Sequence, residues 1–104
     1  IFGFSFLDQN SDTLQGSIID GQGPSFDAIA DGSYPVSRPL YFYVKNAHVG
    51  KVPGILEFLT EYTSEAAMGE EGYLTDKGLI PLGEEKLATI RKNVLSLTPL
   101  ALTK

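Results

Sequence analysis

Residues 34–48, YPVSRPLYFYVKNAH, decide how this chain is read. Pro35 and Pro39 stand four apart, directly in front of the aromatic and β-branched run Leu40–Val44. Each proline fixes its own φ at about −65° and biases the residue before it to extended backbone. The run behind them is almost without polar interruption. That is the pattern of a strand covered on both faces, so 40–44 is expected to be the central strand of the chain, entered through a stiff lead.

Working outward, Phe2, Phe4 and Phe6 alternate with Gly3 and Ser5, the period of a strand, so residues 1–7 are predicted to be extended. Asp8 to Asp12 supplies loop or helix-cap chemistry. Ser17-Ile18-Ile19 reads as a short extended piece stopped by a turn at Asp20-Gly21-Gln22-Gly23-Pro24. Ser25 is placed to cap a short helix over Phe26–Ala30, with Gly32 at its left-handed end. Pro53 suits the first turn of a helix whose apolar stripe, Ile55, Leu56, Leu59 and Tyr62, runs on toward Ala66 and stops at Gly69. After a Gly72 to Leu82 excursion with a turn at Gly78, Glu84 and Glu85 open a last helix carrying Leu87, Ile90, Val94 and Leu97. Strands interleaved with helices imply an α/β arrangement.

At 104 residues, 42% of them apolar, the chain suits one globular unit with a modest core. Thirteen acidic against eight basic side chains give a formal charge of −5. That charge repels a phosphate backbone, and no Lys/Arg run marks a nucleic-acid footprint. The same charge disfavours an anionic membrane surface, and the apolar runs fall far short of the roughly 18 residues of a spanning helix. Zero cysteines exclude disulfides, thiolate metal sites and cysteine catalysis, and leave the compartment open. Ile1 to Leu7 offers no initiator Met, no basic n-region and no cleavage site, so the chain is expected to be a piece of a longer protein.

Several motifs fail as chemistry. Asp8-x-Asn10-x-Asp12 opens like a calcium loop, yet the sixth and twelfth places hold Thr13 and Ile19 where Gly and Glu are needed. Gly21-Gln22-Gly23-Pro24 lacks the third glycine of a dinucleotide loop and the Lys of a P-loop. His48, the sole histidine, has no nucleophile-plus-orienter pattern around it and reads as a solvated residue past the strand. Glu70-Glu71 and Glu84-Glu85 read as solvated pairs rather than catalytic carboxylates. The aromatics at 41–43 could stack on a base or sugar, though a buried strand explains them without a ligand. No metal site and no cofactor is expected. Ser37-Arg38 is the pair kept for function, because Arg presents a planar donor fork to anions and Ser adds a hydroxyl. The competing reading of Arg38 is a pair with a carboxylate at a domain junction.

Tyr34-Pro35-Val36-Ser37-Arg38-Pro39-Leu40-Tyr41 occurs here with Val52-Pro53-Gly54, Phe58-Leu59, Tyr62, Ser64-Glu65, Gly69, Gly72-Tyr73-Leu74 and Gly78-Leu79-Ile80-Pro81-Leu82. This combination resembles the C-terminal part of the phosphate-binding proteins of phosphate ABC importers, over about residues 1 to 92. The resemblance implies a C-terminal segment of a type II periplasmic-binding fold, two α/β lobes that close on an anion. Residues 1–33 would finish the second lobe, 34–39 would be the inter-lobe crossing, and 40–104 would belong to the first lobe. Tyr34, Pro35, Ser37 and Arg38 are then hinge or cleft-edge candidates, and Pro35 and Pro39 would channel lobe motion. The family's phosphate ligands lie earlier in its chain, so no phosphate-contact residue and no catalytic residue is expected in this segment.

The resemblance also implies a binding protein rather than an enzyme, periplasmic or anchored outside the cell. Inorganic phosphate would be the ligand of the full-length parent and an ABC permease its partner. Faces left bare would be covered by another copy or by the missing N-terminal part. Two other readings stand beside it: a self-sufficient protein-interaction domain, and a small hydrolase using His48 and a carboxylate, which requires a pocket around His48.

Overall fold

Local capping chemistry divides the C-terminal half into three helices in the computed structural model, which describes residues 2–101. Gly54, at φ 86°, turns the chain into α3 (Ile55–Tyr62), a left-handed entry that Pro53 could not make. Pro53, predicted in the first helical turn, therefore lies outside the helix. The stripe predicted to run unbroken to Gly69 is also two helices. Thr63 Oγ1 donates back to the Leu59 carbonyl at 2.7 Å, and the Ser64 hydroxyl accepts from the Ala67 N–H at 3.2 Å, starting α4 (Glu65–Met68). A serine in extended backbone with a free hydroxyl is a stronger start signal than the apolar stripe is a continuation signal.

The end of α4 is closed by its own loop. Tyr73 N–H and Leu74 N–H reach the Ala66 and Ala67 carbonyls at 3.0 and 3.1 Å, and Thr75 Oγ1 donates to the Gly69 carbonyl at 2.9 Å. Gly69 and Gly72 are buried there, and a Cβ at either would strike the Glu65 or Ala67 carbonyl, which favours glycine at both positions. A 3-10 turn at Thr75–Lys77 ends at Gly78, φ 92°, as the sequence predicts. Then α5 (Glu84–Leu95) begins, with Glu84 and Glu85 in its first turn. It packs on α3, and Arg91 Nη1 donates to the Thr63 carbonyl at 2.8 Å, a cation at the C-terminal end of α3. Leu97, predicted on the stripe of this helix, lies past its end at φ 54°. Its carbonyl accepts from Asn46 Nδ2 at 2.8 Å.

The core sits between these helices and is small. Leu59 and Ala67 are buried, with Thr63 beside them and its hydroxyl satisfied, and Ala28 in the N-terminal third is the other buried apolar side chain among the described residues. Full burial of one leucine supplies about 1.5–3 kcal/mol, so each such residue matters here.

The N-terminal third departs from its predicted form. Phe4–Gln9 is a helix, α1, where residues 1–7 were expected as a strand; Ile1 lies outside the described residues. Spacing two puts Phe2, Phe4 and Phe6 on one face of a strand, but spacing four also stacks Phe2 on Phe6, whose rings are 5.2 Å apart. Among the described residues no neighbouring strand offers a ladder, and the helix closes its hydrogen bonds locally. Asn10 ends it, its Nδ2 donating to the Phe6 carbonyl at 2.8 Å, which is the cap chemistry read for this loop. Ile19 and Gln22 exchange both backbone hydrogen bonds at 2.9 and 3.0 Å across Asp20 (φ 50°) and Gly21 (φ 79°), the predicted turn reduced to a single antiparallel bridge. Ser25 then caps α2 (Phe26–Ala30), accepting from the Ala28 N–H at 3.2 Å, and Gly32 takes φ 80°.

The central strand is the main correction. Leu40–Val44 is irregular, with Leu40 84% and Tyr43 71% exposed, where burial on both faces was expected. A strand is completed by its neighbours, and among the described residues only the isolated bridges Ile19–Gln22 and Val49–Val52 pair at all. The described fold is thus helical, and the strand content expected of an α/β unit is not found in it. The accessible surface is 8337 Å², against about 5,700 Å² expected of a folded monomer of this length. The radius of gyration, 16.1 Å, likewise exceeds the roughly 13 Å of a closed domain.

Candidate functional site

The stretch singled out from sequence, Tyr34 to Arg38, is positioned by the end of α2. Asp31 Oδ1 accepts from the Ser33 N–H at 2.7 Å, and the Tyr34 N–H donates to the Ala28 carbonyl at 2.9 Å. The Ser33 hydroxyl and N–H hold the Asp31 carboxyl below the usual carboxylate range. The Tyr34 hydroxyl donates to the Ser17 carbonyl at 3.2 Å, bracing the stretch against the strand-like piece before the turn.

Within the stretch, the Ser37 hydroxyl donates to the Tyr34 carbonyl at 2.8 Å. This closes a tight local turn around Pro35 and Val36. The structure therefore joins Tyr34 and Ser37 directly, while Arg38 is exposed and forms no hydrogen bond among the described residues. Neither the predicted anion pair nor an Arg38–carboxylate junction is assembled. What the arrangement does accomplish is to anchor the lead into Leu40 at its Tyr34 end and stiffen it by the Ser37–Tyr34 turn, with the charged fork of Arg38 exposed.

A second feature lies just beyond. Phe42 packs against Phe58 and Tyr62 of α3, with ring centroids 5.6 and 5.2 Å away, and Phe58 and Tyr62 stack at 5.6 Å. Beside this cluster is an open groove of about 380 Å³, walled by Phe42, Phe58 and Ile55, with Lys45 and His48 on its rim. His48 belongs to a 3-10 turn, Asn46–His48, held by Asn46 Nδ2 on the Leu97 carbonyl. The lining includes no carboxylate, so nothing in the groove orients His48 as a base. An aromatic wall with a cationic rim suits contact with an apolar, acidic surface.

Sequence reasoning named the aromatics of 41–43 but not the groove. Phe42 is the only one of the three turned onto α3; Tyr41 and Tyr43 stack on each other at 6.1 Å and are exposed, so the buried-strand reading is corrected for them. No local signal pairs Phe42 with Phe58, sixteen positions away.

At the other end of α5, a shallow hollow is lined by Ala30, Gly83, Glu84, Glu85 and Lys86. Its two carboxylates sit where an anion would meet the helix dipole. Among the described residues no group of three His, Asp or Glu side chains is placed to hold a metal ion, and of Asp8, Asn10 and Asp12 it is Asn10 that closes the end of α1. On α3, Glu61 Oε1 accepts from the Tyr73 hydroxyl at 3.1 Å. Partial desolvation, with the Glu61 hydrogen bond and charge, raises the Tyr73 phenol above its ordinary value.

Comparison with known proteins locates the chain. A family model described as "PBP superfamily domain" matches residues 3–66. Over 63 residues the chain is 40% identical to the "Phosphate-binding protein PstS" of Staphylococcus haemolyticus (strain JCSC1435), a match covering 56% of this chain and 20% of the relative. It is 36% identical over 63 residues, with the same shares, to the protein of the same name from Staphylococcus saprophyticus subsp. saprophyticus. The match thus spans about a fifth of the length of these curated relatives. No solved structure matches the chain. The matched residues include the whole Tyr34–Arg38 link and the aromatic groove up to α3, and on that match the chain belongs to the PBP superfamily domain family.

Proposed function

We propose that these 104 residues are the C-terminal segment of an extracytoplasmic phosphate receptor, a binding protein rather than an enzyme, which captures inorganic phosphate and delivers it to an ABC permease. The observation that carries this reading is the 40% identity, over 63 residues, to a protein named as a phosphate-binding protein. The architecture would be the type II periplasmic-binding one, with residues 1–33 ending the second lobe, 34–39 crossing between lobes and 40–104 contributing to the first. The receptor would work in the periplasm or anchored at the outer face of a membrane.

Tyr34, Pro35, Ser37 and Arg38 are assigned to the hinge and cleft edge. Support for this comes from the hydrogen bonds that anchor Tyr34 to Ala28 and Ser17 and close the turn from Ser37 back to Tyr34. The crossing at 34–39, with two prolines and the closed Tyr34–Ser37 turn, leaves few backbone torsions to rotate and so would channel lobe motion along few paths. Arg38 is free to face a cleft and raise the local concentration of an anion without being its main ligand. The phosphate ligands themselves are assigned to other parts of the receptor.

Titration calorimetry with phosphate, and with sulfate as control, tests the reading. The samples are the 104-residue chain, the Staphylococcus haemolyticus relative, and a chimera in which the matched 63 residues of this chain replace their counterpart in that relative. The chimera should bind phosphate in preference to sulfate, and the 104-residue chain should bind it at least about a hundredfold more weakly. A folded chimera that has lost phosphate binding, while the unaltered relative binds, would overturn the assignment.

A further inference from the structure

The charges of this chain are segregated along it. Residues 1–37 carry Asp8, Asp12, Asp20, Asp27 and Asp31 and no Lys or Arg, five acids and no bases, for a net −5. Residues 38–51 carry Arg38, Lys45 and Lys51 and no Asp or Glu, three bases and no acids, for a net +3. The acidic segment also exposes apolar side chains: the stacked pair Phe2 and Phe6, then Ile18 and Phe26. The basic segment runs along the groove walled by Phe42 and Phe58 and rimmed by Lys45 and His48. One segment is thus an acidic, aromatic ligand in composition, and the other a cationic, aromatic receptor.

Within one molecule the two do not meet by hydrogen bonding. Among the described residues no hydrogen bond joins 2–37 to 38–101, and α1 touches the C-terminal part where Ser5 lies against Gly78. We infer that the groove docks the acidic, aromatic N-terminal segment of a second copy of this chain, and that two copies exchange these segments reciprocally. Such an exchange is isologous and closes at a dimer, since each copy offers one groove and one segment. The area suffices. Each chain exposes 8337 Å², about 2,600 Å² more than a closed monomer of its length, whereas a standard stable interface takes about 800 Å² from each partner. Opposite charges on the two surfaces select this pairing over groove-to-groove contact, which would set cation against cation. The inference concerns the 104-residue chain by itself; in the receptor reading the rest of the receptor would compete for the same faces, but neither face needs an anion to be complementary to the other.

Sedimentation velocity over a range of protein concentrations tests it, on the unaltered chain and on two charge-reversed variants, Lys45→Glu/Lys51→Glu and Asp8→Lys/Asp12→Lys. All four positions are exposed, so the substitutions leave the core untouched. The unaltered chain should dimerise, each variant alone should dimerise at least about tenfold more weakly, and an equimolar mixture of the two should regain the affinity, because both reversed surfaces are then matched. Three results would overturn the inference: a chain that stays monomeric at every concentration, a dimer indifferent to both variants, or a mixture no tighter than its components. Phosphate plays no part in this measurement, so its failure and that of the receptor reading are separately visible.

Discussion

The stretch from α3 to α5 and the run Leu40–Val44 are both rich in apolar side chains, yet Leu59 and Ala67 are buried in the first while Leu40, Tyr41, Phe42 and Tyr43 are exposed in the second. The difference lies in where each must find its hydrogen bonds. A helix closes them within its own segment and needs only a cap at each end, which Gly54, Ser64 and Gly83 begin and the Gly69–Gly72 loop completes. An extended run leaves all of its backbone groups to neighbours, alternate residues to opposite sides. With no ladder beside it, Leu40–Val44 keeps only what its side chains can reach, the stacking of Phe42 on Phe58 and Tyr62. One region is self-contained, and the other waits on a partner.

That contrast is open to being broken by substitution. The largest effect is expected in the helical region: Leu59→Ala removes a buried side chain between α3 and its neighbours and should cost about 2–5 kcal/mol in urea unfolding, enough to lose cooperative unfolding altogether. Arg91→Ala deletes the hydrogen bond from α5 to the Thr63 carbonyl. Partial exposure of the guanidinium reduces a charged hydrogen bond of this kind to about 1–2 kcal/mol, read from the same transition. Ser64→Ala removes the α4 cap and should cost about 1 kcal/mol, with Ser64→Asp restoring most of it. Tyr43→Ser, in the exposed run, should change stability by no more than about 0.5 kcal/mol; a loss comparable to Leu59→Ala would mean that the run is buried after all and would erase the contrast.

The smallest effect is one of pH. The Tyr73 phenol is raised in the folded chain, so the fold binds its proton more tightly than the unfolded chain does. Its contribution is therefore fully present below the ordinary tyrosine pKa and is lost as pH rises through the folded value, where phenolate would face the Glu61 carboxylate at hydrogen-bond distance. The alkaline fall in thermal midpoint should be shallower in Tyr73→Phe than in the unaltered chain. Equal slopes would remove the Tyr73–Glu61 contact from the list of contributors.

The same division explains what could be read from the sequence. Ser25 before a short apolar stripe, Asp20-Gly21 between two extended residues, and Glu84-Glu85 ahead of Leu87 and Ile90 are all local signals, and each produced the element it implies. Ser64 is also a local signal, but it competes with the periodicity of Ile55, Leu59 and Tyr62, which hid the break between α3 and α4. The alternation at Phe2, Phe4 and Phe6 suits either period, and only the absence of a ladder decides for α1. At the site, Ser37 and Arg38 are singled out by residue chemistry and Tyr34 by the resemblance, whereas the direction of the Ser37 hydroxyl, toward the Tyr34 carbonyl, is fixed by a turn that composition does not specify. The groove depends on Phe42 reaching Phe58 across the 3-10 turn at Asn46–His48, a tertiary contact with no signature in spacing.

Amide hydrogen exchange tests most directly whether Leu40–Val44 is a run waiting for a partner, as a lobe of a phosphate receptor would provide. In the dilute 104-residue chain, the amides of α3 and α5 should be protected and those of 40–44 should exchange at close to the rates of a free peptide; in the chimera with the staphylococcal relative, 40–44 should become protected as well. Protection of 40–44 equal to that of α3 in the dilute chain, or continued free exchange there in a chimera that binds phosphate, would contradict it.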